Sequence, residues 1–265
     1  MPMDKIKIIK KLLSILKYSN VKNMSYDDPE IVPFMNYNIK NHSFVRKVYE
    51  EFYRIFVSSA SNIPEGKRVE LGAGYGFFKD FAGKSILRSD ICSSHNNDVK
   101  FSAEQIPFKD KSISAYFMLG VLHHIKNPEN LFNEVVRTLK KGGKFILIEP
   151  NVNLWAKLMY KISHSEPFNS EAGWRIEGNR PLTDANLALP WIMFIRDRKM
   201  FELKFPNLHV NIKLHNPITF QISGAGAFRT FLPGFSYPIF KFIEILLTPF
   251  YKYVAMWMTI EIERK

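Results

Sequence analysis

The sequence predicts a doubly wound α/β fold, with a mostly parallel sheet, an antiparallel last strand and an inserted lid subdomain. Three observations predict it. Short apolar runs alternate with helical patterns up to residue 150, as parallel strands joined by right-handed crossovers require. The first run, Val69-Glu70-Leu71, ends in Gly72-Ala73-Gly74-Tyr75-Gly76. A ligand can lie against such a turn, because glycine has no Cβ and accepts positive φ. From Asn151 to Pro206 the alternation stops, and aromatics, prolines and charges mix.

Residues 1–60 read as a helical cap. Ile6, Ile9, Leu13 and Leu16 share one helix face among lysines, and the aromatic stretch Phe44 to Phe56 suits a helix packed beside the sheet. Asn62 to Gly66 is a turn. The core, 61–150, starts with a strand from Arg68 to Leu71, and Gly76 opens a short helix through Phe81. A second strand, Ser85 to Ser89, ends at Asp90. A third short strand precedes Ser102-Ala103-Glu104. The fourth, Ile113 to Leu119, is apolar enough to be buried on both faces. Asn127 reads as an N-cap and Pro128 as the first helical position; Leu131, Val135 and Leu139 share a face, and Gly142 follows the end. The fifth strand, Lys144 to Ile148, ends at Glu149-Pro150. Residues 151–206 form the lid. Residues 207–265 complete the sheet with a strand near Val210 to Leu214, a helix from Tyr237 to Leu247 and a strand from Val254 to Ile262.

At 265 residues and 46% hydrophobic content, one α/β domain with an insert is expected. The single cysteine, Cys92, excludes an internal disulfide and points to a reducing, cytoplasmic compartment. It has no partner at metal-ligand spacing, so no metal site is expected. The formal net charge of +12 suits anionic neighbours, namely nucleic acid, a membrane surface or a phosphorylated substrate. Solvated lysines account for it equally well. The most apolar stretch, Phe231 to Ile262, is interrupted by Lys241, Glu244 and Lys252, so no membrane span is predicted. The N-terminal stretch lacks a small-residue cleavage site and does not read as a signal peptide. A basic amphipathic helix there can touch the inner face of a membrane, although packing on its own domain is the commoner outcome.

Four groups fall at the carboxyl ends of strands, where open α/β sheets bind ligands: Gly72 to Gly76, Asp90, Ala103-Glu104 and Leu119 to His124. A carboxylate at Asp90 is placed to accept hydrogen bonds from ribose hydroxyls. Together with Asn133 to Gly143 and Ile148-Glu149-Pro150, in this order and spacing, these segments resemble the class I S-adenosylmethionine-dependent methyltransferases of the type-11 branch. The resemblance covers roughly residues 67–150 and implies a Rossmann-like fold with S-adenosylmethionine as cofactor. It further implies that the loop Gly72, Ala73, Gly74, Tyr75 and Gly76 carries the methionine moiety, with Glu70 orienting it. Asp90 would hold the ribose, Ile91 would flank the adenine, Ala103 and Glu104 would lie at its edge, and Leu119 would pass beside the methionine carboxylate. The family often has Asp where this chain has Ser102, and Phe-Asp where it has Ile113-Ser114. The segments around His164, Asp184 and Ser223 are similar to bacterial methyltransferases associated with surface polysaccharides.

A methyl sulfonium is already activated, so such an enzyme must orient a nucleophile and exclude water. For a hydroxyl nucleophile, His123 is the candidate base, titrating near the ordinary histidine range, and Glu149 is the next. A structural turn is the alternative for the histidine pair. His124, His164 with Glu166, and Asp184 with Asn186 are candidate acceptor-binding groups, with a structural hydrogen-bond network as the alternative. The expected activity is O-methylation of a small molecule, such as a surface-glycan sugar or a phosphorylated metabolite. Two readings compete with it: a nucleic-acid methyltransferase, and a cofactor-binding protein without catalysis. The fourth strand ends in Leu119-Gly120-Val121-Leu122, not in the Asn/Asp-Pro-Pro-aromatic loop of many base-amine methylases.

Overall fold

A computed structural model describes residues 15, 28, 30–74, 76–92, 97–163, 166–178, 180, 183–226 and 228–265. Tyr75, His164 and the basic N-terminal stretch except Ile15 lie outside them. Seven strands form one sheet: β1 (Lys67–Leu71), β2 (Ile86–Asp90), β3 (Val99–Lys100), β4 (Ile113–Leu119), β5 (Leu139–Pro150), β6 (Leu208–His215) and β7 (Trp257–Arg264). Their order is β3-β2-β1-β4-β5-β7-β6. β1 to β5 pair in parallel, and β7 runs antiparallel to both its neighbours. The strand order reverses between β1 and β4, and a crevice opens at the carboxyl ends of those two strands.

Among the described residues the α-helices of four residues or more are α1 (Ile31–Asn41), α2 (Ser43–Ser59), α3 (Phe78–Ala82), α4 (Pro128–Thr138), α5 (Leu154–Ser163), α6 (Arg198–Lys204), α7 (Thr219–Ser223), α8 (Tyr237–Leu246) and α9 (Tyr251–Val254). Strand periodicity divides the central side chains between two cores. Tyr116, Met118, Phe145, Leu147, Met258 and Ile260 face Leu131, Phe132 and Val135 of α4. Ala115, Phe117, Ile146 and Ile148 face Val48, Phe52 and Phe56 of α2. Edge-on aromatic pairs tie α2 and α3 to the sheet, Phe56 to Phe78 at 5.2 Å and Phe78 to Phe117 at 4.9 Å.

The structure departs from expectation in three places. Asn127 makes no side-chain cap; its backbone N–H is donated to Glu104 Oε1 instead. The helix after it stops at Thr138, because Leu139 is already extended at φ −66°, ψ 141°, and β5 begins there rather than at Lys144. The stretch 151–206 also does more than cover a site. Trp174, Ile192, Phe194, Phe201 and Phe205 are buried in the first core, since the crossover from β5 to β6 must cover that apolar face of the sheet.

Candidate active site

The glycine loop follows β1 into the crevice. Gly72 has φ 68° and Gly74 φ 45°, in the left-handed region that only glycine enters cheaply. A Cβ on Gly72 would also lie 2.6 Å from Val121 Cγ1, so the loop and the turn after β4 fit only without one. Asp90 closes β2. Its Oδ2 accepts the Gly74 N–H at 2.9 Å and its Oδ1 accepts the Cys92 N–H at 2.8 Å. Asp90 therefore fixes the loop and retains lone pairs for a ligand. From above, Asn36 Nδ2 donates to the Gly76 carbonyl at 3.3 Å and the Phe77 N–H is donated to Tyr53 Oη at 2.9 Å. Glu70 is buried, and its Oε2 has no hydrogen-bond partner. Burial pushes the carboxyl up to about 8, opposed by Arg88 and helped by Asp90 and Asp80.

The opposite rim is a clamped loop. Ser102 Oγ accepts the Glu104 N–H at 3.2 Å. Glu134 Oε2 accepts the Ile106 N–H at 2.7 Å, while Arg137 donates to the Ile106 and Phe108 carbonyls, each at 2.8 Å. The acidic and basic residues of α4 thus hold the segment that carries Ala103 and Glu104. Ser114 Oγ donates to the Lys67 carbonyl at 3.0 Å and ties β4 to β1.

Beyond the loop lies a chain of charged groups. Fully buried Glu149 accepts the N–H groups of Val121 and Leu122 on Oε1, at 2.8 and 2.7 Å. Its Oε2 meets His123 Nδ1 at 2.7 Å. His123 Nε2 in turn lies 3.4 Å from Glu166 Oε2, and His124 Nε2 lies 3.9 Å from Glu166 Oε1. Burial alone would lower the His123 pKa, but Glu149 and Glu166 together raise it to about 10. His123 is therefore an imidazolium at neutral pH. This corrects the expectation of a base titrating near 6–7, because the ring is held between two carboxylates. One nitrogen each of His123 and His124 and a carboxylate oxygen of Glu166 lie within 4.8 Å of one another, close enough to hold a metal ion.

One cavity of about 610 Å³ connects these parts. Of the residues singled out in the sequence, Glu70, Gly72, Ala73, Gly74, Gly76, Asp90, Ile91, Ala103, Glu104, Leu119, His123, His124 and Glu166 line it. Glu149 stands behind His123, bonded to its ring and outside the cavity wall. Asp184 and Asn186 are not in the wall, a correction with a plain cause. Asp184 accepts the Arg180 N–H and pairs with its guanidinium. Asn186 is buried and spends its amide on Asn169 N–H, Asn169 carbonyl and Ala188 N–H. The wall also contains Tyr49, Phe52 and Tyr53 of α2, Phe220 of α7, Arg229 and Trp257, which sequence reasoning did not single out. The aromatic spacing along α2 was visible, but nothing local said which of its rings face a ligand.

A switch-point crevice, a bare glycine loop and a carboxylate ending β2 define the class I methyltransferase fold. Residues 69–147 match the family model described as a methyltransferase domain. An uncharacterised protein of Methanocaldococcus jannaschii is 32% identical over 93 residues, covering 32% of this chain and 45% of that protein. The mitochondrial 2-methoxy-6-polyprenyl-1,4-benzoquinol methylase of Dictyostelium discoideum is 30% identical over 95 residues, covering 36% of this chain and 26% of that one. The chain thus spans less than half the length of the curated relatives it matches. A SAM-dependent methyltransferase from Archaeoglobus fulgidus has the same fold with a TM-score of 0.51, at 13% identity over 83% of this chain and 94% of that one.

Proposed function

We propose that this chain is a methyltransferase that O-methylates a small molecule, with S-adenosylmethionine as its cofactor. The residues fit that cofactor. The bare backbone at Gly72 and Gly74 takes the methionine end, and the buried, unpartnered Oε2 of Glu70 suits a neighbouring ammonium group. Asp90 offers its remaining lone pairs to the ribose hydroxyls, with Ile91 and Ala103 beside the base. When bound, the cofactor supplies an activated methyl on a sulfonium.

The chain's own residues do the rest. Tyr49, Phe52, Phe220 and Trp257 exclude water and hold the flat face of an acceptor ring. Glu166 lies in the wall beside the His123 imidazolium and accepts the hydroxyl proton as the new bond forms. His123, anchored by Glu149, fixes the orientation of Glu166 and balances its charge. This arrangement of a carboxylate at the cavity wall, 3.4 Å from a buried histidine that is itself anchored on Glu149, is the observation that carries the proposal. Lys126 and Arg229 also reach the cavity and favour an acceptor with an anionic group, as in a phosphorylated sugar or metabolite. The aromatic wall supports a second reading, in which the acceptor is a ring carried on an apolar chain; the Dictyostelium relative is named for such a ring.

Transfer of labelled methyl from S-adenosylmethionine to a panel of sugar phosphates and polyprenyl quinols tests both readings. Label should move only when an acceptor is present, and Asp90→Ala should weaken cofactor binding by about 1.5–3 kcal/mol, the worth of hydrogen bonds to a charged group. Undiminished cofactor binding in Asp90→Ala would remove the ribose assignment.

A further inference from the structure

Helix α8 is built inside out. Its polar side chains face the protein. Glu244 is fully buried and accepts the Ile218 and Thr219 N–H groups at 3.0 and 2.8 Å. Lys241 reaches both Glu51 and Glu244 at 2.6 Å, and the Tyr237 hydroxyl donates to Glu51. Apart from Phe240, which packs on Phe44, its larger apolar side chains face outward, with Phe242 61% and Ile245 62% exposed. Phe235, 80% exposed, precedes the helix directly, and Leu154 of α5, on the helix that packs beside α9, is 83% exposed. Folding in water buries the apolar stripe of a helix against the core, so this inversion calls for an apolar environment outside the chain.

The charges bordering the face identify that environment. Among the described residues of 153–161 and 229–254, the exposed charged side chains are Lys157, Lys161, Arg229 and Lys252, all cations; the one acid, Glu244, is buried. Protruding aromatic and aliphatic side chains ringed by lysines match a bilayer with anionic headgroups, the apolar groups entering the acyl boundary and the cations meeting the phosphates. A second copy of this chain would set like charges against one another across the same face. No helix among the described residues is long and apolar enough to cross a membrane.

We propose that the outward face of α8, with Phe235 and the exposed edge of α5, docks the protein on the surface of an anionic lipid bilayer. The chain links the two: Phe228 and Arg229 line the cavity, and Phe231, 82% exposed, lies two residues further on. Docking would bring the rim of the cavity to the lipid surface. The inference does not depend on the reaction the cavity performs.

Co-sedimentation of the full chain with vesicles tests it, comparing pure phosphatidylcholine with phosphatidylcholine containing about one-third phosphatidylglycerol. Wild type should bind the anionic vesicles at least about tenfold more tightly than the neutral ones, and binding should fall as salt screens the cations. Phe235→Asp with Phe242→Asp should lower that affinity by about tenfold or more while circular dichroism and cofactor binding stay unchanged. Lys157→Glu with Lys252→Glu gives a second variant that leaves the apolar face intact, and it should weaken binding to the anionic vesicles alone. Wild type left in the supernatant would overturn the proposal. Equal binding by wild type and both variants would also overturn it, since the lysines near the N-terminus would then carry the interaction. A dimer in sedimentation velocity that Phe235→Asp abolishes, without vesicle binding, would assign the face to a second copy.

Discussion

The two walls of the cavity are built differently. The cofactor wall comes from consecutive strand ends within 67–150: the loop after β1, the end of β2 and the turn after β4. The wall proposed for the acceptor is assembled from segments scattered along the chain, namely α2, Glu166, Leu187, Phe220 with its neighbours, Phe228, Arg229 and Trp257. The first depends on backbone geometry, which a local sequence must spell out. The second depends on packing, which many sequences can satisfy. The cofactor half is therefore a general device and the acceptor half a specific one, and changes on either side should separate cofactor affinity from turnover.

The largest expected effect lies on the acceptor side. Glu166→Gln keeps the shape of the side chain and removes its basicity, so kcat should drop by about 10²–10⁴-fold, the usual worth of a general base. Cofactor affinity, measured by calorimetry, should stay near wild type. Loss of both together would mean that the two walls are not separable at Glu166.

The next effect lies on the cofactor side. Gly72→Ala places a methyl 2.6 Å from Val121 in a backbone conformation of φ 68°. Overpacking of this kind costs about 1–3 kcal/mol, and the loop must move to relieve it. Cofactor affinity should fall by roughly 5- to 150-fold on that scale, while the acceptor wall and its pH behaviour persist. Gly74→Ala would meet only the Gly72 carbonyl oxygen, at an unstrained 3.8 Å, and should be milder, limited to the strain of its positive φ.

The same contrast explains what the sequence disclosed. The succession of strands and helices along the chain, the glycine loop and the carboxylate at the end of the second strand were legible because each depends on local signals: alternation, missing side chains and an acid at a strand end. Asp184 and Asn186 misled because a polar residue among aromatics reads alike whether it meets a ligand or its own backbone. Only the fold shows Asp184 satisfied by Arg180 and Asn186 by Asn169. Tyr49 and Trp257 could not be found for the opposite reason. They look like ordinary core residues, and two rings that share one wall lie 208 positions apart in the chain. The charge state of His123 was equally hidden, since it is set by Glu149 and Glu166, remote in sequence and near in space.

A pH titration sharpens the comparison further. Glu70, held near 8 against an ordinary value of 4.5, is mostly protonated in the empty protein at pH 6. An ammonium group beside it favours the ionised form, so cofactor binding should release a proton and strengthen by up to about tenfold per pH unit between pH 6 and 8. The stability of the empty protein should move the other way. A carboxyl whose folded pKa is raised contributes stability below its unfolded value, and that contribution fades as pH rises through about 8. His123 adds a second loss in the same direction, fully stabilising below 6.5 and fading through about 10. Glu70→Gln should flatten the affinity profile and leave the His123 component of the stability profile in place. A wild-type affinity that is flat with pH would place the cofactor's ammonium group away from Glu70.

The smallest expected effect is the most direct check on where the acceptor wall ends. Asp184 pairs with Arg180, its carboxyl held below the usual range chiefly by the Arg180 backbone N–H, and neither residue lines the cavity. The guanidinium is exposed, and an ion pair to a solvated partner contributes little. Asp184→Ala should therefore leave kcat, acceptor KM and cofactor affinity within about a factor of two of wild type, as substitutions away from special features do. Glu166→Gln, 18 residues earlier in the same stretch, should act through kcat alone. If Asp184→Ala instead raises the acceptor KM with kcat unchanged, the segment around Arg180 closes over the acceptor during turnover. The acceptor wall would then extend beyond the cavity described here, and the stretch 166–186 would be a lid in the full sense.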